Sequence, residues 1–214
     1  MPKHFVSNKD ESIRMFKNNF LDLVSRVHWS TPLVLYVPFT SVLLYFAFAK
    51  YDLSILMVIA LMAGGVLSWS FAEYFLHRFV FHWQPPGKIG ERIHFVAHGV
   101  HHDYPNDSKR LVMPPALSIP LCIVFFLLFS SIMGVAYTTG FMPGFVLGYL
   151  AYDMTHYALH HVNWKNPFFL ALKEHHMVHH YHDPDNGYGV SSKLWDYIFR
   201  TNFKITKKDR TVAK

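Results

Sequence analysis

The sequence predicts an all-α integral membrane protein, in which four transmembrane helices carry a helical cap on the cytosolic side. The first observation behind this prediction is composition, since hydrophobic residues make up 51% of the chain and aromatic residues 17%. The second is that many of the hydrophobic residues are gathered in four uncharged runs. The third is that many histidines lie just outside those runs, at spacings typical of helices.

The four apolar runs approach the length that a helix needs to cross a bilayer. Because a helix rises about 1.5 Å per residue, about 20 residues span a hydrocarbon layer of about 30 Å. The polar link Lys50–Asp52 makes the first two runs an antiparallel hairpin, and Pro143, Gly144 and Gly148 interrupt the fourth run. We place the spans at about 32–49, 53–72, 114–133 and 136–154, within a single domain of residues 1–214.

The basic residues predict how the spans are oriented. Of the 20 Lys and Arg residues, 19 lie in 1–31, 78–110 or 165–214. Short loops rich in Lys and Arg stay on the cytosolic side, so we expect both termini and every histidine group to face the cytosol. The membrane would be a bacterial inner membrane or the endoplasmic reticulum. The same distribution explains the net charge of +6 without a nucleic-acid partner.

Residues 1–31 are polar and of mixed charge, but they contain an apolar stripe at helical spacing. Its members are Ile13, Phe16, Phe20, Val24 and Val27. The pattern predicts an amphipathic helix that lies on the cytosolic surface of the membrane. A helix packed on the soluble face of the protein itself fits the same pattern equally well.

Sixteen histidines are many for 214 residues, and ten of them fall into four tight groups. Neutral imidazole is the commonest metal ligand in proteins and suits iron, copper and zinc. Four such groups at helical spacings predict a site for more than one metal ion, held by the cytosolic cap. The ten residues are His77 and His82, His98 with His101 and His102, His156 and His160, and His176 with His179 and His180.

The spacing within each group indicates how its rings are arranged. A His-x-x-His-His stretch on a helix has rings at i, i+3 and i+4, which we expect to share one face. The stretch occurs twice, beginning at His98 and at His176. His77 and His82 are five residues apart and diverge on an ordinary α-helix, so this pair requires a bend or a second metal ion.

From residue 70 to residue 200 the chain resembles the fatty acid hydroxylase superfamily, most closely the fatty acid 2-hydroxylases that act on the acyl chains of sphingolipids. Most of the motifs that carry the resemblance contain histidines, and the Asp-Tyr-Pro-Asn-Asp continuation is the most specific part. The motifs are Glu73-Tyr-Phe-Leu-His77-Arg-Phe-Val-Phe-His82, His98-Gly-Val-His101-His102-Asp103-Tyr-Pro-Asn-Asp107, Tyr152-Asp153-Met-Thr-His156-Tyr-Ala-Leu-His160-His161, His175-His176-Met-Val-His179-His180-Tyr181 and Gly187-Tyr-Gly-Val-Ser-Ser-Lys-Leu-Trp195-Asp196.

The resemblance implies a two-metal centre held by the ten histidines, with two iron ions in the working enzyme and zinc as a possible occupant of purified protein. It also implies that one oxygen atom from O2 is inserted at C2 of a long acyl chain, in a sphingolipid, a ceramide or a fatty acid. Some members begin with a cytochrome b5 domain, whose His-Pro-Gly-Gly motif is absent here. We therefore expect an external electron donor, cytochrome b5-like or ferredoxin-type.

Several residues near the histidines are candidates for catalysis. Asp153 lies one turn before His156, and Glu73 one turn before His77, where a carboxylate can orient a ligand imidazole. We predict Asp153, Tyr152 and Tyr149 as the catalytic set, with the two tyrosines beside the lipid. We also expect lateral access for the lipid along an aromatic wall, formed by Trp69, Phe71, Tyr74, Phe75, Phe145, Tyr149 and Tyr152.

The sequence leaves some alternatives open. Either member of the adjacent pairs His160–His161 and His175–His176 could bind metal. A sterol or carotenoid oxidase or desaturase would use a similar histidine-rich membrane site. A metal-binding membrane protein without catalysis would also need the histidines.

Overall fold

The computed structural model describes residues 5–203, and every regular element in that range is helical. The all-α prediction is therefore confirmed for the described residues. The α-helices are α1 Asn19–Val24, α2 Thr31–Ala49, α3 Ile55–Phe75, α4 Gly87–His94, α5 Val100–Asp103, α6 Pro115–His161, α7 Pro167–Tyr181 and α8 Leu194–Ile198, and two π-helices span Leu76–Phe81 and Phe95–Gly99.

Three helices of the described chain are long and apolar enough to cross a membrane: Thr31–Ala49, Ile55–Phe81 and Pro115–His161. The first two agree with the spans predicted at 32–49 and 53–72. The second continues through the first π-helix, so the apolar run leads without a break into the first histidine group. The connection between the two is short, and Ser54 caps α3 by accepting a hydrogen bond from the Met57 N–H.

The third long helix, α6, is interrupted at Gly134, whose φ of 80° and ψ of 156° are not helical. The two arms fold back on each other, because the ring of Phe125 contacts Phe145 at 4.8 Å and that of Phe129 contacts Phe141 at 4.7 Å between centroids. The spans predicted at 114–133 and 136–154 lie on these two arms. That each arm crosses the membrane separately stays a prediction.

The second arm of α6 packs directly on α3, and glycines make the close approach possible. A Cβ atom at Gly65 would overlap the backbone of Phe141, and one at Gly144 would overlap the backbone of Met62. Helices approach this closely only where one of them lacks a side chain. The contact fixes the two helices that carry His77 and His156 relative to each other.

The N-terminal segment differs from its prediction. Only Asn19–Val24 of the expected amphipathic helix forms, and the described residues before it are irregular. The reason is that backbone N–H groups of this segment bind acceptors outside a helical pattern: Met15 and Phe16 donate to the Asp22 carboxylate, and Val6 and Ser7 donate to the Asp103 carbonyl. The Phe20 side chain is 69% exposed, so the predicted stripe does not form one buried face. Residues 1–4 of that prediction lie outside the described residues.

Candidate metal centre

The ten predicted histidines lie together in two groups of five. Within each group, one ring nitrogen from every residue lies within 4.8 Å of the others. Eight of the ten residues are buried. The first group is His77, His82, His98, His102 and His179, and the second is His101, His156, His160, His176 and His180.

Each His-x-x-His-His stretch supplies residues to both groups. His98 and His102 belong to the first group, whereas His101, between them, belongs to the second. In α7 the assignment is reversed, since His176 and its i+4 neighbour join the second group and His179 joins the first. The three rings of each stretch are therefore divided between the two groups, and the two stretches connect the groups to each other.

A π-helix resolves the five-residue spacing of His77 and His82. The chain from Leu76 to Phe81 is π-helical, and the His82 N–H donates to the His77 carbonyl at 3.1 Å. This i→i+5 bond brings residues five apart onto one side, and π-helices are frequent at functional sites. No bend or separate metal ion is needed for this pair to meet.

Hydrogen bonds fix the tautomer of two rings in the first group. His77 donates from Nδ1 to the Tyr188 carbonyl at 2.5 Å, and His179 donates from Nδ1 to the Asn186 carbonyl at 2.7 Å. Because a carbonyl can only accept, each Nδ1 carries the proton, and Nε2 of the neutral ring presents a lone pair. Both lone pairs point into the group.

The distances between facing Nε2 atoms fit a metal ion. Two nitrogens bound to one ion at about 2.1 Å and at about a right angle lie about 3.0 Å apart. The observed separations are 3.0 Å for His77–His98 and 3.1 Å for His82–His179. In the second group, the separations from His176 are 2.9 Å to His160 and 3.1 Å to His180. Where neither nitrogen carries a proton, the facing lone pairs repel each other, and a cation between them removes the repulsion.

The surroundings keep these rings neutral, as ligation requires. Burial, followed by the repulsion of neighbouring imidazolium charges, holds the pKa values of His98, His101 and His176 well below the usual value. The same causes act on His179 and His180. At neutral pH the rings therefore offer lone pairs without a proton to displace.

The loop from Asn186 to Ser191, which we call the carbonyl loop, holds the first group in place, and two buried carboxylates hold the loop. Glu73 accepts from the Val190 and Ser191 N–H groups, each at 2.8 Å. It therefore does not bind the His77 ring as predicted. Sequence reasoning missed this role, because the partners are 117 and 118 residues apart.

The second carboxylate is Asp196, the last residue of the motif that begins at Gly187. It accepts from the N–H groups of Tyr188 and Gly189 at 2.9 and 2.7 Å. Burial opposes ionisation of this group, but hydrogen bonds from His175, Thr201 and Gly189 outweigh it and lower the pKa of Asp196. The ionised carboxylate is thus a second anchor of the carbonyl loop, beside Glu73.

The structure places one member of each ambiguous histidine pair at the centre. His160 and His176 are in the second group. His161 instead stacks on Tyr157 at 4.6 Å between ring centroids, and His175 donates from Nε2 to Asp196 at 3.1 Å. That the ten grouped histidines bind metal remains a prediction.

A cavity of about 570 Å³ adjoins both histidine groups. Its wall includes His98 of the first group and His101 and His156 of the second, and most of its other residues are apolar. The volume is within the range of about 300–1,000 Å³ typical of small-molecule sites. The cavity is therefore the part of the described chain best suited to bring an apolar molecule to the histidines.

The three predicted catalytic residues occupy different places. Tyr152 and Asp153 line the cavity, and the Tyr152 ring stacks on His156 at 5.7 Å. The Asp153 carboxylate accepts from the Met113 N–H at 3.3 Å, which ties α6 to the chain just before it. Tyr149 packs between Tyr36 and Trp69 in the helical core, so it does not stand at the cavity. A catalytic role for any of them stays a prediction.

The predicted aromatic wall does not form one surface. Tyr74 is buried, its ring stacks on Phe199 at 5.3 Å, and its hydroxyl pairs with Thr201. Phe71 and Phe75 line a separate cavity beside Trp195. Of the predicted wall, Tyr152 alone is part of the large cavity. The wall of that cavity also includes the N-terminal segment and the start of α6, whose role the sequence did not reveal.

Comparison with known proteins places these features in a family. The sequence pattern of the fatty acid hydroxylase family matches residues 62–201. The chain is 36% identical over 191 residues to the dihydroceramide fatty acyl 2-hydroxylase FAH2 of Arabidopsis thaliana, covering 89% of this chain and 80% of the relative. It is 37% identical over 209 residues to the fatty acid 2-hydroxylase of Homo sapiens, covering 88% of this chain and 56% of the relative.

A solved structure agrees with the fold. The structure described as full-length scs7p, in which only the hydroxylase domain is visible, superposes with a TM-score of 0.81 at 36% sequence identity. The match covers 86% of this chain and 70% of the other.

Proposed function

Because this chain belongs to the fatty acid hydroxylase family, we propose that it is a membrane enzyme that hydroxylates C2 of the acyl chain of a ceramide or a long-chain fatty acid, with O2 as co-substrate. The observation that supports this best is that one mostly apolar cavity reaches residues of both histidine groups. Such a cavity suits an alkyl chain, and two adjoining metal sites suit oxidation of a C–H bond.

The ten histidines would hold two iron ions, one in each group. Bound there, the iron pair would supply the reduction of O2 that attack on an unactivated C–H bond requires. His77 and His179 contribute rings whose orientation is set in advance by the carbonyl loop. Such outer hydrogen bonds make a ring a better ligand. Zinc would fit the same nitrogens and could replace iron in purified protein.

The cavity wall would bind the acyl chain and keep water from the reacting carbon. Val96, Val100, Leu111 and Leu117 present aliphatic side chains there. Their burial against a substrate chain is favourable at about 25 cal/mol per Å² of apolar surface. Tyr152 would close the cavity beside His156, where its size limits how the chain approaches the metals.

In the membrane, the two arms of α6 would act as the third and fourth crossings. The antiparallel contacts of their phenylalanine rings support this arrangement. Both histidine groups would then lie on the side of the termini, which the distribution of Lys and Arg assigns to the cytosol. A cytosolic redox protein, cytochrome b5-like or ferredoxin-type, would supply the electrons.

The test is an assay of the full chain reconstituted with iron in liposomes that contain N-palmitoyl dihydrosphingosine and palmitate. An electron donor and O2 start the reaction, and mass spectrometry locates the added oxygen. We expect a 2-hydroxy acyl product that depends on O2 and reductant. Oxygenation of an added sterol instead would favour the sterol oxidase alternative. No oxygenated product at full iron loading would favour a metal-binding protein without catalysis.

A further inference from the structure

One buried cation stands out in the wall of the large cavity. Two arginines line it, among residues that are mostly apolar. Arg92 is exposed, donates to the Met15 carbonyl and lies over the rings of Phe16 and Phe95. The Arg110 side chain, by contrast, is only 4% exposed. A guanidinium buried in an apolar cavity is uncommon and calls for a partner.

The two carboxylates near Arg110 leave part of its guanidinium without a hydrogen bond. Nη2 contacts the Asp22 carboxylate at 3.4 Å, and Nε lies 3.9 Å from the Asp107 carboxylate. Neither Nε nor Nη1 has a hydrogen-bond partner among residues 5–203, although both are buried, and Nη1 has no carboxylate within ion-pair distance either. Buried donors are nearly always paired in folded proteins. A ligand in the cavity is therefore the natural acceptor for this group.

The chemistry of C2 hydroxylation requires an anchor of this kind. Along an alkyl chain the methylene groups are nearly alike, and C2 is distinguished only by its bond to the C1 carbonyl. Apolar side chains can bind the alkyl chain but cannot fix its position along the cavity, because contacts between alkyl groups have no preferred direction. A hydrogen-bond donor that holds the C1 oxygen fixes the distance from the donor to C2.

We propose, on the basis of the function proposed above, that Arg110 donates a hydrogen bond from Nη1 to the C1 carbonyl oxygen of the acyl substrate and thereby places C2 at the metal centre. Arg110 is thus a positioning residue that determines regioselectivity. It lines the same cavity as His98, His101 and His156, so donor and metal groups act on one bound chain.

The local charges indicate which form of the carbonyl is preferred. The cations Arg26 and Arg110 face the anions Asp22 and Asp107, with Asp22 shared between both arginines. Since Arg110 is already neutralised, a free carboxylate gains little there from charge pairing. The neutral amide carbonyl of a ceramide avoids the cost of burying a second anion. We therefore expect the amide to be preferred over the free acid.

The experiment compares Arg110→Ala and Arg110→Lys with Arg26→Ala in the full chain, reconstituted with iron and supplied with N-palmitoyl dihydrosphingosine or palmitate. Arg26 pairs with the same Asp22 but does not line the cavity, so its removal is a matched control for loss of that ion pair. The readouts are the share of product hydroxylated at C2, as against C3 and C4, the KM, and the affinity for N-palmitoyl dihydrosphingosine without turnover.

We expect Arg110→Ala to lower the C2 share and to weaken binding of N-palmitoyl dihydrosphingosine by roughly tenfold or more. Arg110→Lys should recover part of the C2 share and part of the affinity, since lysine keeps the positive charge but lacks the planar guanidinium with its fixed donors. Arg26→Ala should leave both unchanged. Pure C2 product with unaltered binding in Arg110→Ala, or equal effects in Arg26→Ala, would overturn the inference. If wild-type protein binds the ceramide through Arg110 but forms no hydroxylated product, the proposed function fails while the binding role stands.

Discussion

The two histidine groups are held in different ways, although each offers five nitrogens in a similar space. In the first group, the carbonyl loop fixes His77 and His179 from outside through their Nδ1 protons. In the second group, we find no hydrogen bond to Nδ1 of His160, His176 or His180 within the described chain. Their positions come from regular helices, with the pairs 156/160 and 176/180 four residues apart on α6 and α7.

The difference separates two ways of preparing a metal site. A ring held through its second nitrogen is fixed in both tautomer and orientation, which increases metal affinity. A ring held only by its helix keeps its direction but can present either nitrogen. We therefore expect the first group to bind its ion more tightly than the second group does. This difference should disappear when the carbonyl loop is displaced.

Removing one ligand from either group should have the largest effect. His179→Ala opens the first group and His101→Ala the second, and we expect either change to reduce hydroxylated product to background. Neither residue lies in one of the three long apolar helices, so membrane insertion should be normal. The measurements are product formation and membrane fractionation of the expressed chain. Loss of insertion, with activity retained in the inserted fraction, would contradict the ligand assignment.

Loosening the carbonyl loop should affect the first group alone. Glu73→Gln keeps the size of the side chain but weakens the contacts to Val190 and Ser191, so we expect roughly 10–100-fold weaker binding of one ion. Chelator titration with metal counting should show one ion lost early and the other retained. Glu174→Gln is the control, because it makes the same change at an exposed position of α7. Equal loss from both sites would show that the groups are not separately held.

The packing of α3 against α6 fixes the two histidine groups relative to each other. Substitutions at the adjacent glycines Gly64 and Gly65 test this packing. A Cβ atom at Gly65 would overlap the Phe141 backbone, whereas one at Gly64 would approach only the ring of Phe141, at 3.4 Å. We expect Gly65→Ala to reduce the free energy of unfolding by about 1–3 kcal/mol, and Gly64→Ala to leave it nearly unchanged. Thermal unfolding in detergent measures both. Similar midpoints for the two variants would mean that the close helix contact is absent.

The smallest effect is expected at the two tyrosines, which the structure separates. Tyr152 lines the cavity, so Tyr152→Leu should shift the preferred acyl length a few-fold without changing metal content. Tyr149 packs on Trp69 and Tyr36, so Tyr149→Leu should lower stability and leave the preference unchanged. Product ratios across ceramides of graded acyl length measure the shift. If Tyr149→Leu changed the acyl preference and Tyr152→Leu did not, the substrate would contact the predicted aromatic wall and not the cavity.

Local sequence patterns predicted what depends on near neighbours. Apolar runs located the long helices, since length and hydropathy suffice for that. Histidine spacing identified the ten residues that come together. The division of each His-x-x-His-His stretch between two groups was not predictable, because it depends on how α5 and α7 meet in space. The π-helix at His77 also has no simple sequence signature.

Long-range polar contacts were the other part that the sequence could not reveal. Glu73 meets the carbonyl loop across more than 100 residues, and Val6 meets Asp103 across almost as many. Helical periodicity predicted that Glu73 binds the His77 ring and that the N-terminal segment is a helix, since it takes only neighbours in sequence into account. In the structure both segments bind residues that are distant in sequence, because a buried carboxylate or N–H group needs a hydrogen-bond partner wherever the fold supplies one.

The central claim is that the two groups hold two separate ions, and anomalous diffraction at the iron edge tests it most directly. Crystals of the full chain prepared with iron should show two peaks per chain, one inside each group, about 3.5–6 Å apart. The nearest protein atoms to both peaks should be histidine nitrogens. A single peak, or a peak beside His161 or His175, would contradict the account.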